Sequence, residues 1–122
     1  MTANAFADAL RRVAGRVPES EVLMIIGTDG ITIEKLMIRP DPNMEAVAAE
    51  HTTLLRASLA AAEDTGLGAL QELVVSTERM TTLLVAITPE YFLFASLAPG
   101  AVLGRARFAL RLAGLSLRRE FD

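Results

Sequence analysis

Glu21-Val-Leu-Met-Ile-Ile-Gly27, followed by Thr28-Asp-Gly30 and Ile31-Thr-Ile-Glu-Lys-Leu-Met-Ile38, decides how the rest of the chain is read. The first run is apolar at successive positions. Because side chains alternate across a strand, such a run forms a strand only if both faces of its sheet are covered. Thr28-Asp29-Gly30 is a hairpin signal, since aspartate and glycine supply tight-turn geometry between two apolar runs. The return strand, Ile31 to Ile38, carries Thr32, Glu34 and Lys35, and that polar share suits a sheet edge. A doubly covered antiparallel sheet follows, and helices must lie on each of its faces.

Proline marks the joints. All five prolines (Pro18, Pro40, Pro42, Pro89 and Pro99) fall between segments rather than inside them, as a residue without an amide donor must. Ahead of Pro18, Ala3 to Ala14 predicts a helix with Phe6, Leu10 and Val13 on one side, arginines near its carboxyl end and Gly15 as its stop. Asp41-Pro42 predicts an N-cap with proline at the first helical position, opening a helix that runs to about Asp64 and stops at Gly66. Three strands follow: Leu70 to Thr77, Met80 to Ile87 and Tyr91 to Leu97. The first alternates, with Leu70, Glu72 and Val74 set against Gln71, Leu73 and Val75. The other two are apolar on both faces, hence central, and their short connections make them antiparallel neighbours. Ala101 to Arg119 closes the chain as a helix with Leu103, Ala106, Leu110, Ala113 and Leu117 on one side. The order is α-β-β-α-β-β-β-α, an α+β fold in one domain spanning residues 1–122.

The middle helix is apolar on two sides. Met44, Val47, Ala48, Leu55, Leu59 and Ala62 form one, and the small residues Ala46, Ala49, Thr53, Ala57 and Ala60 form another. A helix apolar on two sides is buried on two sides, and only a second chain is free to cover the small-residue side. The composition agrees: 52% of residues are hydrophobic against 22% charged, an excess with two homes, a sheet covered on both faces and an oligomer interface.

Several chemistries are excluded or disfavoured. Cysteine is absent, so there are no disulfides, thiolate metal sites or thiol nucleophiles, in keeping with a reducing compartment. Met1 to Val13 has no continuous apolar run and reads as no signal peptide; Leu83 to Ala98 is broken by Thr88-Pro89-Glu90 and is too short on either side to span a bilayer. The expected setting is cytoplasmic. A net charge of −3 gives nucleic acid no bulk attraction. His51 is the single histidine and lies mid-helix without a spaced nucleophile or acid, so it reads as a packing residue. No metal-ligand spacing occurs, and no cofactor is expected. Gly27-Thr-Asp-Gly30 lacks the remaining glycine and the Lys-Ser/Thr of a phosphate-binding loop. Arg107, Arg111 and Arg118 project in nearly one direction. They form either a solvated face or a patch for an acidic protein surface or lipid headgroups.

Four stretches in this order resemble the roadblock family, which includes dynein light chains and bacterial GTPase regulators. They are Val22 to Ile31, the alanine-rich Glu45-Ala-Val-Ala-Ala-Glu50, the strand Thr82-Leu-Leu-Val-Ala-Ile87, and Leu103-Gly-Arg-Ala-Arg107, similar to the Leu-Gly-x-x-Arg that opens the family's last helix. Pro18 to Glu21 and Glu34-Lys35 depart from the common pattern. The resemblance implies a five-stranded antiparallel sheet with the middle helix on one face and the terminal helices on the other. It also implies a homodimer in which third strands pair across a two-fold axis and middle helices lie side by side. Ala46, Ala49, Thr53, Arg56, Ala57, Ala60, Leu70, Glu72 and Val74 are then the expected dimer and partner interface, and a Ras-like small GTPase the expected partner of a non-enzymatic regulator. The alternatives are a structural adaptor in a larger complex and, less favoured for want of converging polar groups, a small-molecule sensor.

Overall fold

The computed structural model describes residues 4–121. Its elements are α1 (Ala5–Arg16), β1 (Ser20–Gly27), β2 (Thr32–Met37), α2 (Met44–Asp64), β3 (Glu72–Ser76), β4 (Thr81–Thr88), β5 (Tyr91–Leu97) and α3 (Leu103–Arg118), followed by a 3-10 turn at Arg119–Phe121. The strands form one antiparallel sheet in the order β2-β1-β5-β4-β3. The half-polar return strand is an edge, and the strands that are apolar on both faces, β1, β4 and β5, hold the centre.

The alternation of β1 splits the core in two. Leu23 and Ile25 point to the face covered by α1 and α3, where they join Leu10, Val13, Leu93, Leu110 and Leu117. Val22, Met24 and Ile26 point to the other face, where α2 places Met44, Ala48 and Leu55 over Phe92 and Phe94. One helix therefore covers one face and the two terminal helices the other, as expected. The ends of the described chain meet in the two-helix layer: the Phe121 ring stacks on Tyr91 at a centroid distance of 4.2 Å and lies 5.3 Å from Phe6.

Turn chemistry explains the joints and corrects three boundaries. Gly30 takes φ +91°, where a side chain would be strained, and the Asp29 carboxylate accepts the Ile31 amide at 3.0 Å to hold the hairpin. Gly66, at φ +69°, ends α2 with paired backbone bonds, Gly66 N–H to Glu63 O and Leu67 N–H to Ala62 O, which satisfy two orphan carbonyls. The N-cap of α2 is Asn43 rather than Asp41. Asp41 Oδ1 takes the Asn43 amide at 2.9 Å and Asp41 O the Met44 amide at 3.1 Å, so Asp41-Pro42 forms a turn ahead of the helix. Gly15 lies inside α1, which runs one residue past it, while Ala3 of the expected helix falls outside the described residues. Leu70 and Gln71 precede β3, so the alternation begins only at Glu72.

Candidate functional site

α2 presents to solvent the face that its core contacts leave over. At 100° per residue, Ala46, Ala49, Thr53, Ala57 and Ala60 stand opposite Met44, Leu55 and Ala62, and all five are exposed. The flanks of this face differ. On one, Glu45 pairs with Lys35 of β2 at 3.2 Å, and Arg56 Nη1 donates to the Thr28 carbonyl in the hairpin at 2.7 Å. That flank is tied to the β2 side of the sheet, and Arg56 with it. The other flank carries Glu50, Leu54 and Ala61 and looks toward β4 and β3, on the side where His51 Nε2 meets Thr82 Oγ1 at 2.7 Å. Leu54 is 47% exposed although Leu55 beside it is fully buried. Two adjacent helical leucines point 100° apart, and only one faces the sheet.

His51 packs rather than reacts. Its Nδ1 lies 2.8 Å from the Val47 carbonyl, an acceptor only, so Nδ1 carries a proton, and its ring meets Phe94 edge-on. Its Nε2 lies 2.7 Å from the Thr82 hydroxyl, a contact that ties α2 to β4.

Beside the Leu54 flank lies β3. Within the chain it pairs only with β4 (Glu72 opposite Val85, Leu73 opposite Leu84, Val74 opposite Leu83), so its outer backbone edge has no strand partner among the described residues. Of Leu70, Glu72 and Val74, the last two keep the shared face that the alternation predicts, and Leu70, ahead of the strand, leaves it. Leu70 packs with Leu73 against the α2-side cluster, and Val74 against the α1–α3 cluster. The Glu72 carboxylate turns to α3. Arg107 Nε donates to its two oxygens at 2.8 and 3.0 Å, and Arg111 Nη2 to one of them at 2.9 Å. Arg118 Nε reaches the Ile87 carbonyl at 3.3 Å. The three arginines of the expected patch thus stand on one side of α3, two holding Glu72 and one holding β4.

A second exposed apolar feature escaped the sequence reading. Phe108 and Leu115 are each 63% exposed and Leu112 38%, on the crest of α3. Their spacing of four and three residues is visible in the sequence, beside the stripe led by Leu103 on the same helix. Among the described residues no group of three or more His, Asp or Glu side chains converges as a metal site would require. Nor, among the described residues, is any helix long and apolar enough to cross a membrane. What the described residues expose is surface for interaction: the small-residue face of α2, the outer edge of β3 and the crest of α3.

Residues 7–96 match the sequence model of the Roadblock/LC7 domain. Among solved structures, Myxococcus xanthus MglB superposes with a TM-score of 0.87 at 12% identity, covering 99% of this chain and 98% of its own. A structure described as MglB with tetrameric arrangement gives 0.85 at 18% identity, covering 95% and 87%. Myxococcus xanthus MglC gives 0.68 at 28% identity, covering 95% and 98%. No protein with a curated description matches the chain.

Proposed function

This chain belongs to the Roadblock/LC7 domain family, and from that premise we propose that it is a non-enzymatic, homodimeric regulator or scaffold that engages a Ras-like small GTPase. The observation that carries the reading is the exposed small-residue face of α2, with Leu54 on its flank, standing beside the unpaired edge of β3. A second copy pairing edge to edge at β3 extends the sheet and brings the Leu54 flanks of the two α2 helices together. That satisfies free backbone groups and apolar surface in one contact. An interface of roughly 1,600 Å² is normal for such a pair. One structural relative is described as a tetramer, and self-association through an open sheet edge fits that company.

The part of the two α2 faces that the dimer leaves open is a shallow platform of alanines rimmed by Glu50, Arg56 and Glu63. Small side chains let a switch loop approach the helix backbone closely, and an apolar centre with a charged rim is the anatomy of a transient interface. A regulator acts only through differential affinity, so the dimer prefers one nucleotide state of its GTPase. Arg56, which is tied to the hairpin, has no role as an inserted arginine. Calorimetric titration against the GTPase encoded nearest in the genome, loaded with GDP or a GTP analogue, tests the reading. State-dependent binding supports it, equal affinities leave only an adaptor, and no binding removes the GTPase.

A further inference from the structure

We propose that the crest of α3 is a docking ridge for an acidic amphipathic helix of a partner protein, on the face opposite α2 and independent of the dimer and GTPase reading.

Phe108, Leu112 and Leu115 form one stripe at i, i+4 and i+7, turned away from the buried Leu110, Ala113 and Leu117. None of the three belongs to either core cluster. Single exposed apolar residues are ordinary, but three along one helix make a patch. At their flank a groove between α1 and α3 is lined by Val13, Ala109, Leu112 and Ala113, with Arg12 and Arg16 at its rim. The stripe and this groove together seat an apolar helix face.

Charge identifies the occupant. The whole chain carries −3, yet Arg12, Arg16, Arg105, Arg111 and Arg119 surround the stripe, all exposed. The carboxylates near this surface are largely engaged: Asp8 with Arg11, Glu19 with Arg105 at 3.8 Å, and Glu72 with Arg107 and Arg111. Glu120 alone stands half-buried at the foot of the helix. Among the described residues Arg12, Arg16 and Arg119 have no ion-pair partner. Every cation here is arginine, whose planar fork suits carboxylates. A second copy apposed on this face across a two-fold axis sets arginine against arginine. A bilayer suits it poorly, because the broad apolar face of α3 is turned to the core and only a narrow ridge of about 10 Å remains. An acidic helix with an apolar stripe of its own matches ridge, groove and rim together.

The test uses the full chain, labelled with nitrogen-15, and two helical peptides with leucines at i, i+3, i+4 and i+7, one filled out with glutamate and the other with lysine. The glutamate peptide is expected to shift amides of residues 105–119 and 9–16 saturably, and to bind at least about tenfold more tightly than the lysine peptide. About 0.5 M salt should weaken it by roughly tenfold. Phe108→Ser with Leu115→Ser, both at exposed positions, should reduce that affinity at least about tenfold, the loss of two apolar anchors, while leaving the circular dichroism spectrum and sedimentation unchanged. Four results overturn the proposal: no saturable shift at millimolar peptide, equal affinity for the two peptides, phosphatidylglycerol vesicles binding the wild type but not the serine variant, or the serine variant losing an oligomer. The third assigns the ridge to a membrane and the fourth to a second copy.

Discussion

Leu54→Ala separates assembly from folding within a single helix. Fully burying a leucine side chain contributes about 1.5–3 kcal/mol, so burying the half that Leu54 leaves exposed contributes about 0.7–1.5 kcal/mol per copy. A two-fold contact counts it twice, and allowing for the methyl that alanine keeps, the loss is about 1–2.5 kcal/mol, or roughly a 5- to 60-fold rise in the dimer dissociation constant. Because Leu54 lies outside the core cluster under α2, its removal should leave the stability of the monomer within about 0.5 kcal/mol of wild type. Leu55→Ala is the control. That side chain is fully buried, and its truncation should cost about 2–5 kcal/mol of folding free energy. Sedimentation equilibrium across a concentration series gives the dissociation constant. Urea unfolding at a protein concentration far below it gives monomer stability free of mass action. A dimer whose dissociation constant does not change in Leu54→Ala refutes the placement of this flank at the two-fold axis. A wild-type chain that is monomeric at high micromolar concentration refutes the dimer itself.

Glu72→Gln keeps the shape of the side chain but discharges the acceptor of two arginines; with the carboxylate only 19% exposed, it should cost about 1–2 kcal/mol in urea unfolding, less at high salt. Gly30→Ala meets no atom within 4 Å yet forces a side chain to φ +91°, and should cost about 1–2 kcal/mol, whereas Gly104→Ala, unobstructed in the first turn of α3, should raise stability by no more than about 1 kcal/mol in the same assay. The purified chain should show no saturable heat with GTP or ATP, because its only lysine, Lys35, lies in β2 and not in a glycine-rich helix start; measurable specific binding overturns that.

The layers of the fold were legible because burial on both faces writes itself as an uninterrupted apolar run. Tyr91 to Leu97 was bounded to the residue, and β1, β4 and the edge character of β2 followed from the same rule. The start of α2 was misplaced because the Asp41 side chain caps a turn instead of the helix, a choice between neighbouring amides that residue types alone do not decide. The site was less legible. Glu72 meets Arg107 and Arg111 across 35 and 39 positions of sequence, a separation at which no periodicity speaks. Helical spacing places Leu55, not Leu54, on the core-facing side, but that Leu54 stands beside the open edge of β3 rests on the orientation of α2, in which Glu45 and Arg56 face the β2 side and His51 faces β4.

The ring of Phe121 resting against Phe6 has a consequence for how such a module travels between proteins. With Phe6 and Phe121 in contact, the domain can be spliced into a surface loop of a larger host as an insertion whose two junctions enter the same helical layer. The same proximity makes the fold a near-closed ring of chain, so a short bridge joining the old ends, with new ends cut in the loop between α2 and β3, should give a permuted sequence that reaches the same sheet.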